Sequence, residues 1–520
     1  MELLKEQVFL DQSVGSEQQQ LLLEGDIIVP DAKPDMSLLL QTEERMLVDR
    51  TDVSTDRVNF IGRLNLSVLY IAKGAEKPVH VLTHSHNVDD FINMDGVNKD
   101  MWVKATTEIA NVDYKMVNDR KVHFRAVVNV RMSAERSDAH EMVIHIHDVP
   151  ENQMLKNPLG INRTIEHKQE RFTVSEQLTL PGSKPNIREI LLVTAQVSNR
   201  EERTANGRVN LSGELLVTTL YRGDTDESVI EFVESTVPFN GPIDISGARE
   251  DMFTDALLQI HDCQGKVVTD DDGEDRVIEI EVDLGVQMKV YSTETLSVLE
   301  DAYCTKQQLH INKTAIRVPR LVCHNRNQTP VKEVVTLGTG SPDMLQVFRV
   351  RGLAYLDEVK LLEDKVIVEG AITTDILYVA ESDAQPLGSY RTIIPFRQVI
   401  EAKGTAPNMQ VTVEPSIDTA TFNMLSGRET EIRFTLTFNT RVIEEEEAQI
   451  INGITASDPD PDALSAMASM TVYTVQTNDN LWRIAKHYNT PLDELLAVND
   501  IDSNVKLTPG QKLLILKKGM

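Results

Sequence analysis

The chain has 520 residues, a formal net charge of −29, and 41% hydrophobic and 26% charged residues. At roughly 150 residues per domain, this length predicts three or four domains rather than a single core. The acidic balance argues against binding of nucleic acid or of an anionic membrane surface through bulk charge. The three cysteines are widely spaced and offer no disulfide framework. The N-terminal segment does not resemble a signal peptide, and no apolar run reaches membrane-spanning length, so a cytoplasmic protein without membrane insertion is expected.

A repeat of about 150 residues organises most of the chain. Three landmarks recur in it at fixed spacing: a proline, a glycine 28 residues later and a tyrosine eight residues after the glycine. They are Pro34, Gly62 and Tyr70 in the first copy, Pro185, Gly213 and Tyr221 in the second, and Pro342, Gly370 and Tyr378 in the third. Because solenoid repeats are only about 20–50 residues long, these copies are interpreted as whole domains in tandem.

Each copy is predicted to be rich in β-strands. The segment that ends at the tyrosine places apolar residues at every second position, as in Leu64, Leu66 and Val68, which is the period of a half-buried strand. A later segment of each copy alternates in the same way and follows a turn-forming stretch, NDRK, DDDGED or SGRE. This arrangement predicts a hairpin in each copy, and the proline step is interpreted as a structural turn.

The predicted domain division follows from these repeats. Three β-rich domains are expected at residues 1–157, 158–300 and 301–446. Residues 447–469 contain two prolines among aspartates and small residues, which indicates an extended linker. Residues 470–520 are expected to form a small C-terminal domain.

The C-terminal unit is predicted to fold as strand, helix, helix, strand. Asp479 is expected to cap a first helix, whose apolar face has the spacing i, i+3, i+4 and i+7: Leu481, Ile484, Ala485 and Tyr488. Thr490 is expected to cap a second helix that starts at Pro491. The segments VYTV and KLLIL supply the two strands.

This unit resembles the LysM domain in residues that span nearly all of it. They are Tyr473, Val475, Asp479, Leu481, Ile484, Ala485, Asn499, Ile501, Leu507, Gly510, Gln511, Leu513 and Ile515. The resemblance implies a groove for glycans that contain N-acetylglucosamine, such as peptidoglycan or chitin. That groove would lie between Asn478, Asp479, Asn480 and Leu481 on one side and Val498, Asn499 and Ile501 on the other.

Two features of this unit bear on what it binds. The family's Gly-Asp-Thr is replaced here by Asn478-Asp479-Asn480, so two side chains stand where the backbone would approach an acetamido group. Asparagine tolerates positive φ, which keeps the turn possible, but glycan binding is doubtful. Trp482 lies beside the apolar stripe of the first helix, where it can be either a half-exposed binding residue or a cover for the domain's own core.

The combination of tandem β-rich domains and a terminal LysM domain resembles the SPOCS–LysM spore-coat morphogenetic proteins of spore-forming bacteria. This resemblance implies a mother-cell protein that helps to encase the forespore. It also implies that the LysM domain engages the basement-layer coat ATPase, stage IV sporulation protein A, while the β-rich domains serve as a scaffold for other coat proteins. Neither a cofactor nor an enzymatic activity is expected.

The sequence offers little that indicates catalysis or metal binding. The chain has no Walker A, Rossmann, nucleophile-elbow or zinc-protease motif. The pairs His84/His86 and His145/His147, and the acidic loop Asp270–Asp275, are interpreted as structural features of strands and a turn rather than metal sites. The alternatives that remain are a peptidoglycan or cortex anchor, a phage tail component, and an enzyme with a LysM targeting domain.

Overall fold

The structure is a computed structural model that describes residues 1–74, 78–225, 229–382, 385–458, 468–502 and 505–516. Each repeat forms two three-stranded antiparallel sheets. The strands of the first repeat are β1 (Glu2–Ile28), β2 (Met36–Ser54), β3 (Arg57–Ala72), β4 (Val79–Asn93), β5 (Trp102–Asn118) and β6 (Lys121–His147). Those of the second are β7 (Asn152–Thr179), β8 (Ile187–Ala205), β9 (Arg208–Gly223), β10 (Ile230–Asp244), β11 (Phe253–Val268) and β12 (Val277–Cys304). Those of the third are β13 (Gln308–Thr336), β14 (Met344–Leu362), β15 (Lys365–Ala380), β16 (Leu387–Glu401), β17 (Gln410–Met424) and β18 (Glu429–Ser457).

The strand order is the same in all three repeats. One sheet of the first repeat has the order β1-β6-β5 and the other β2-β3-β4, and the second and third repeats reproduce both orders. The alternating residues predicted to face a core do so: Leu64 and Leu66 of β3 join Phe124 and Val128 of β6 in one buried cluster. The two sheets therefore pack face to face as a sandwich, and the prediction of tandem β-rich domains is confirmed.

The first and last strands of each repeat, in chain order, extend well beyond its sandwich. In register, Glu2 pairs with His147, Asn152 with Cys304, and Gln308 with Ser457, so each repeat carries a two-stranded ribbon. The ribbons pack against one another through a shared apolar cluster: Val8, Leu10, Met142, Leu159, Ile161, Val298, Ile316, Val318 and Ile450. Since this cluster draws on all three repeats, the ribbons form one stalk.

Charged side chains also join the three repeats. The Asp255 carboxylate of the second repeat lies 3.4 Å from Lys104 Nζ of the first and 2.5 Å from Arg441 of the third. Lys104 further contacts Glu414 of the third repeat at 3.0 Å. Burial raises the pKa of Asp255, but the two cations outweigh this and hold its pKa at about 2. These half-buried, matched charges link the three repeats.

The long strands bear on the predicted domain division. Positions 157, 300 and 446 each fall inside a ribbon strand, namely β7, β12 and β18, and the boundaries placed there stay predictions. The linker prediction needs a correction, because residues 447–457 lie in β18 and pair with β13. Alternation of apolar residues such as Ile450 and Ile454 continues into this segment, and both are buried. Residues 459–467 of the predicted linker lie outside the described residues.

The C-terminal unit has the predicted order of elements. It consists of β19 (Met470–Thr474), α1 (Leu481–His487), α2 (Leu492–Asn499) and β20 (Lys512–Leu516), and the two strands pair antiparallel. Neither helix, nor any other helix within the described ranges, is long and apolar enough to cross a membrane.

Candidate functional site

The loop before α1 keeps the turn that the LysM resemblance implies, although the glycine is replaced. Asn478 adopts φ 70°, a left-handed conformation that asparagine tolerates. Asp479 does not cap the helix as predicted. Its Oδ2 instead accepts hydrogen bonds from the Tyr473 hydroxyl at 2.6 Å and from the Gln476 backbone N–H at 2.8 Å, which closes the loop. Those donors hold the pKa of Asp479 below its usual range.

Both predicted helix caps are wrong by one position. Asn480 is the N-cap of α1, and its side-chain oxygen accepts from the Arg483 backbone N–H at 2.7 Å. Pro491 occupies the N-cap position of α2, with no side-chain cap. The Thr490 hydroxyl donates instead to the Leu516 carbonyl at 3.2 Å. The side chains of Asp479 and Thr490 do not cap the helices because they form hydrogen bonds with residues of β19 and β20. Sequence spacing does not reveal such contacts.

The far side of the predicted groove is built around Asn499. Its amide nitrogen donates to the carbonyls of Leu495 and Leu514 at 2.8 and 2.7 Å, and its oxygen accepts from the Leu514 N–H at 2.7 Å. These bonds use most of the hydrogen-bonding capacity of the side chain, so Asn499 ties α2 to β20 and has little left for a ligand. Ile501 is half-buried against the domain core.

The predicted site residues thus divide by exposure. Asn478, Asn480 and Val498 are exposed, and Leu481 and Trp482 are buried with 9% of their surface accessible. The exposed residues alone are available to a partner in this structure. Whether they bind a protein or a glycan stays a prediction.

Trp482 is covered by another part of the chain rather than by its own domain alone. Its ring meets that of Tyr303, in β12 of the second repeat, edge to face with centroids 5.0 Å apart. Its Nε1 donates to Asp301 Oδ2 at 2.8 Å. Neither of the two interpretations of Trp482 is complete, because the indole sits between the LysM core and the stalk.

Further contacts fix the LysM domain on the end of the second ribbon. Lys486 Nζ lies 2.6 Å from Asp301 Oδ1, and the Tyr303 hydroxyl donates to the Thr490 carbonyl at 2.8 Å. Asn489 donates to the Thr305 carbonyl at 2.9 Å. Leu155 of β7 packs against the apolar cluster that contains Tyr303, Trp482 and the core of the C-terminal domain. Sequence reasoning missed this interface, since Asp301 and Tyr303 carry no local signal of it.

The electrostatics of the interface follow from these contacts. Burial raises the pKa of Asp301, but the bonds from Lys486 and Trp482 outweigh it and lower the pKa below the ordinary value of 3.8. Burial also raises the pKa of the Tyr303 phenol, which remains a hydrogen-bond donor at neutral pH. Asp301 is therefore ionised and paired under physiological conditions.

The pair His84 and His86 lies in β4 of the first repeat, and the pair His145 and His147 lies at the end of β6. His84 and His86 are half-buried against Phe124, with ring centroids 5.7 and 5.6 Å from it. Within the described ranges, one group of three potential metal ligands exists: Asp11, Glu135 and His167. The Lys289 ammonium already lies 2.7 Å from Asp11 Oδ2 and contacts Glu135, so a cation has to displace it.

Comparison with known families identifies a domain in each repeat and the C-terminal unit. The family described as SipL, SPOCS domain, matches residues 35–117, 186–268 and 343–425, and the LysM domain family matches residues 473–516. The SPOCS matches cover β2–β5, β8–β11 and β14–β17 and leave out the ribbon strands. No curated protein and no solved structure shows significant similarity to the chain.

Both families are non-catalytic, and SPOCS domains are domains of sporulation coat proteins. With three SPOCS domains followed by one LysM domain, the chain belongs to the SipL-like SPOCS–LysM proteins.

Proposed function

We propose that the protein is a non-enzymatic adaptor in spore-coat assembly, with its LysM domain as the part that engages a partner. The partner that the family resemblance implies is the basement-layer coat ATPase, stage IV sporulation protein A. In this proposal the protein acts in the mother-cell cytoplasm, at the surface of the forespore. The three SPOCS domains provide further surface for other coat proteins.

One observation carries this proposal: the LysM domain packs on the end of the stalk that the three ribbons form. Trp482, Lys486 and Asn489 hold it there, while Asn478, Asn480 and Val498 remain exposed. A domain that is held in one orientation loses little freedom when it binds a partner, which favours affinity. The stalk itself is held together by the apolar cluster that the three ribbons share.

The glycan alternative is less well supported. A sugar groove needs polar groups that converge on the ligand, whereas Asn499 is occupied by the backbone of its own domain. In addition, an exposed Asn478 replaces the glycine of the family pattern, and the Asn480 side chain caps α1. Peptidoglycan binding therefore enters as an outcome of the experiment.

The test measures binding of the full-length chain to the purified ATPase and, in parallel, to purified peptidoglycan. Val498→Arg is compared with Val117→Arg, because both valines are exposed and Val117 lies in the first repeat. We expect Val498→Arg to weaken ATPase binding by at least about tenfold, as for a residue at an interface, and Val117→Arg to have no effect. Absence of ATPase binding by the wild-type chain would overturn the adaptor role, and binding to peptidoglycan alone would establish the anchor.

A further inference from the structure

A cleft of about 440 Å³ lies where the LysM domain meets the stalk. Its walls come from three parts of the chain, so neither the LysM domain nor a SPOCS repeat forms it alone. The LysM domain contributes the N-cap residue of α1 and, within α1, Trp482, Arg483 and Lys486. The second repeat contributes Leu155, Glu300 and Asp301, and the third repeat contributes Leu309, Ile311 and Lys313. This volume is in the range of roughly 300–1,000 Å³ that is typical of ligand pockets in proteins.

The cleft owes its shape to the contacts that fix the LysM domain. The Asp301 carboxylate receives hydrogen bonds from Trp482 and Lys486 and thereby holds α1 against β12. Because these bonds use both of its oxygens, Asp301 does not offer a free carboxylate to a ligand. Since the contacts of Asp301 with Trp482 and Lys486 are present without a ligand, the cleft is preformed rather than created on binding.

The unpaired charge in the cleft is mainly positive. Within the part of the chain that the structure describes, neither Arg483 nor Lys313 has a carboxylate within 4.0 Å, and both are exposed. The charge of Arg483 also helps to lower the pKa of Asp479 from a longer distance. Glu300 is the one lining carboxylate that Lys486 and Trp482 leave free. Two such cations in one cleft stand out in a chain that carries 81 acidic and 52 basic residues. Acidic ligands are attracted to a cationic site of this kind, whereas the negative net charge of the chain disfavours their binding elsewhere on the surface.

Apolar side chains accompany these cations. Leu155, Leu309 and Ile311 are half-buried and line the cleft beside the Trp482 ring. A ligand that fills the cleft thus needs at least one apolar side chain next to its carboxylates. A free inorganic anion lacks the apolar part, and a neutral glycan gains nothing from Arg483 and Lys313.

We propose that this composite cleft binds an acidic peptide segment of a partner protein, with its carboxylates on Arg483 and Lys313 and an apolar side chain against Leu309 and Ile311. The proposal rests on the proposed adaptor function and identifies a second contact surface. That surface includes ribbon strands of the stalk, whereas the surface around Val498 belongs to the LysM domain alone. A partner that binds both the cleft and the surface around Val498 contacts the LysM domain and the stalk at the same time.

The experiment selects peptides from a random phage-displayed library on the full-length protein. Peptides that also bind the Lys313→Glu/Arg483→Glu double variant are removed. Circular dichroism and thermal melting verify that the variant is folded. We expect the retained peptides to be enriched in Asp and Glu beside apolar residues. Their affinity, measured by fluorescence anisotropy, should fall by at least about tenfold in the double variant.

Two controls make the outcome decisive. Lys403→Glu changes the same charge at an exposed lysine of the third repeat outside the cleft, and it should leave peptide binding unchanged. Enrichment of neutral or basic peptides, no variant-sensitive peptides at all, or an equal loss with Lys403→Glu would overturn the proposal. Unimpaired binding of the ATPase in that case would show that the adaptor function stands without this cleft.

Discussion

The Tyr70 hydroxyl donates a hydrogen bond to the Pro34 carbonyl at 3.0 Å, so the first and last landmarks of the repeat are physical partners. The same bond joins Tyr221 to Pro185 at 3.2 Å and Tyr378 to Pro342 at 3.1 Å. Each tyrosine is fully buried, and burial raises the pKa of Tyr70 and Tyr221 to about 12. The phenols therefore remain protonated and hold the turn that leads into the second strand of each repeat.

Replacement of Tyr221 by Phe tests this bond. The change keeps the buried ring and removes the donor, which leaves the Pro185 carbonyl without this partner. We expect the free energy of unfolding in urea to fall by about 1 kcal/mol, the usual net value of one hydrogen bond. Tyr355→Phe is the matched control, since its hydroxyl has no partner within the described ranges. Equal stability of both variants would contradict the role of the bond.

The architecture of the repeats was accessible from the sequence, and the reinforcement of their turns was not. Fixed spacing revealed three tandem domains, and alternation placed strands such as β3 and β12 correctly. In contrast, Arg120, Arg276 and Arg428 clamp the same turn by donating to the carbonyls of Val29, Pro181 and Leu337. Their distance from the landmark proline differs in the second copy, whose hairpin loop is longer, and so they left no regular pattern.

The central glycine of each repeat is required by close approach of a neighbouring strand. A Cβ on Gly370 would lie 2.2 Å from the Tyr355 carbonyl oxygen and 2.9 Å from the Phe396 ring. Gly370→Ala should therefore lower stability by about 1–3 kcal/mol, the range for an overpacked core. The measurement is the urea midpoint, with Gly182→Ala as control because its added Cβ meets nothing within 4 Å. A midpoint shift of the same size in both variants would show that close approach is not the reason for the glycine.

The contact between Asp255 and its two cations predicts that the repeats unfold together. Asp255→Ala leaves Lys104 without one of its partners and deprives the half-buried Arg441 of its ion pair. Removal of one member of a fully buried pair typically costs about 3–5 kcal/mol, so we expect this half-buried pair to cost less and still lower the melting temperature. Calorimetry should show one transition for the wild-type repeats and separate transitions for the variant. Asp95→Ala, at an exposed turn of the first repeat, serves as the control. A single unshifted transition in Asp255→Ala would contradict the prediction.

The candidate site was only partly predictable, because some of its contacts join residues that are far apart in the sequence. The helical order of the LysM unit and the positive φ at Asn478 follow from local chemistry. The partners of Trp482, however, lie about 180 residues upstream in β12, and one sequence contains no signal of contacts at that distance. The period of α1 did indicate that Trp482 lies at the edge of its apolar face, which is the position that lets it reach Asp301.

Asp301→Ala tests whether that contact holds the LysM domain. The change removes the acceptor for Trp482 and the partner of Lys486, which leaves the Trp482 N–H unpaired at a buried surface. We expect the domain to dissociate from the stalk while both parts stay folded. Small-angle scattering should then give a larger radius of gyration, and limited proteolysis should release the LysM domain faster. Asp95→Ala should behave as wild type in both measurements. If Asp301→Ala leaves the radius of gyration unchanged, other contacts are sufficient.

The Asp301 carboxylate also makes the contact between the LysM domain and the stalk dependent on pH. Because the pKa of Asp301 in the folded protein lies below its ordinary value of 3.8, its contribution to docking is complete above that value. It is lost as the pH falls through the lower folded pKa, where protonation ends the pairing with Lys486. Emission of Trp482 in a Trp102→Phe background should follow this loss, since the chain has two tryptophans. We expect a red shift with its midpoint below pH 3.8, at pH values where far-ultraviolet circular dichroism still reports folded repeats. Asp301→Asn cannot titrate, so a transition of the same midpoint in that variant would assign the effect to another group.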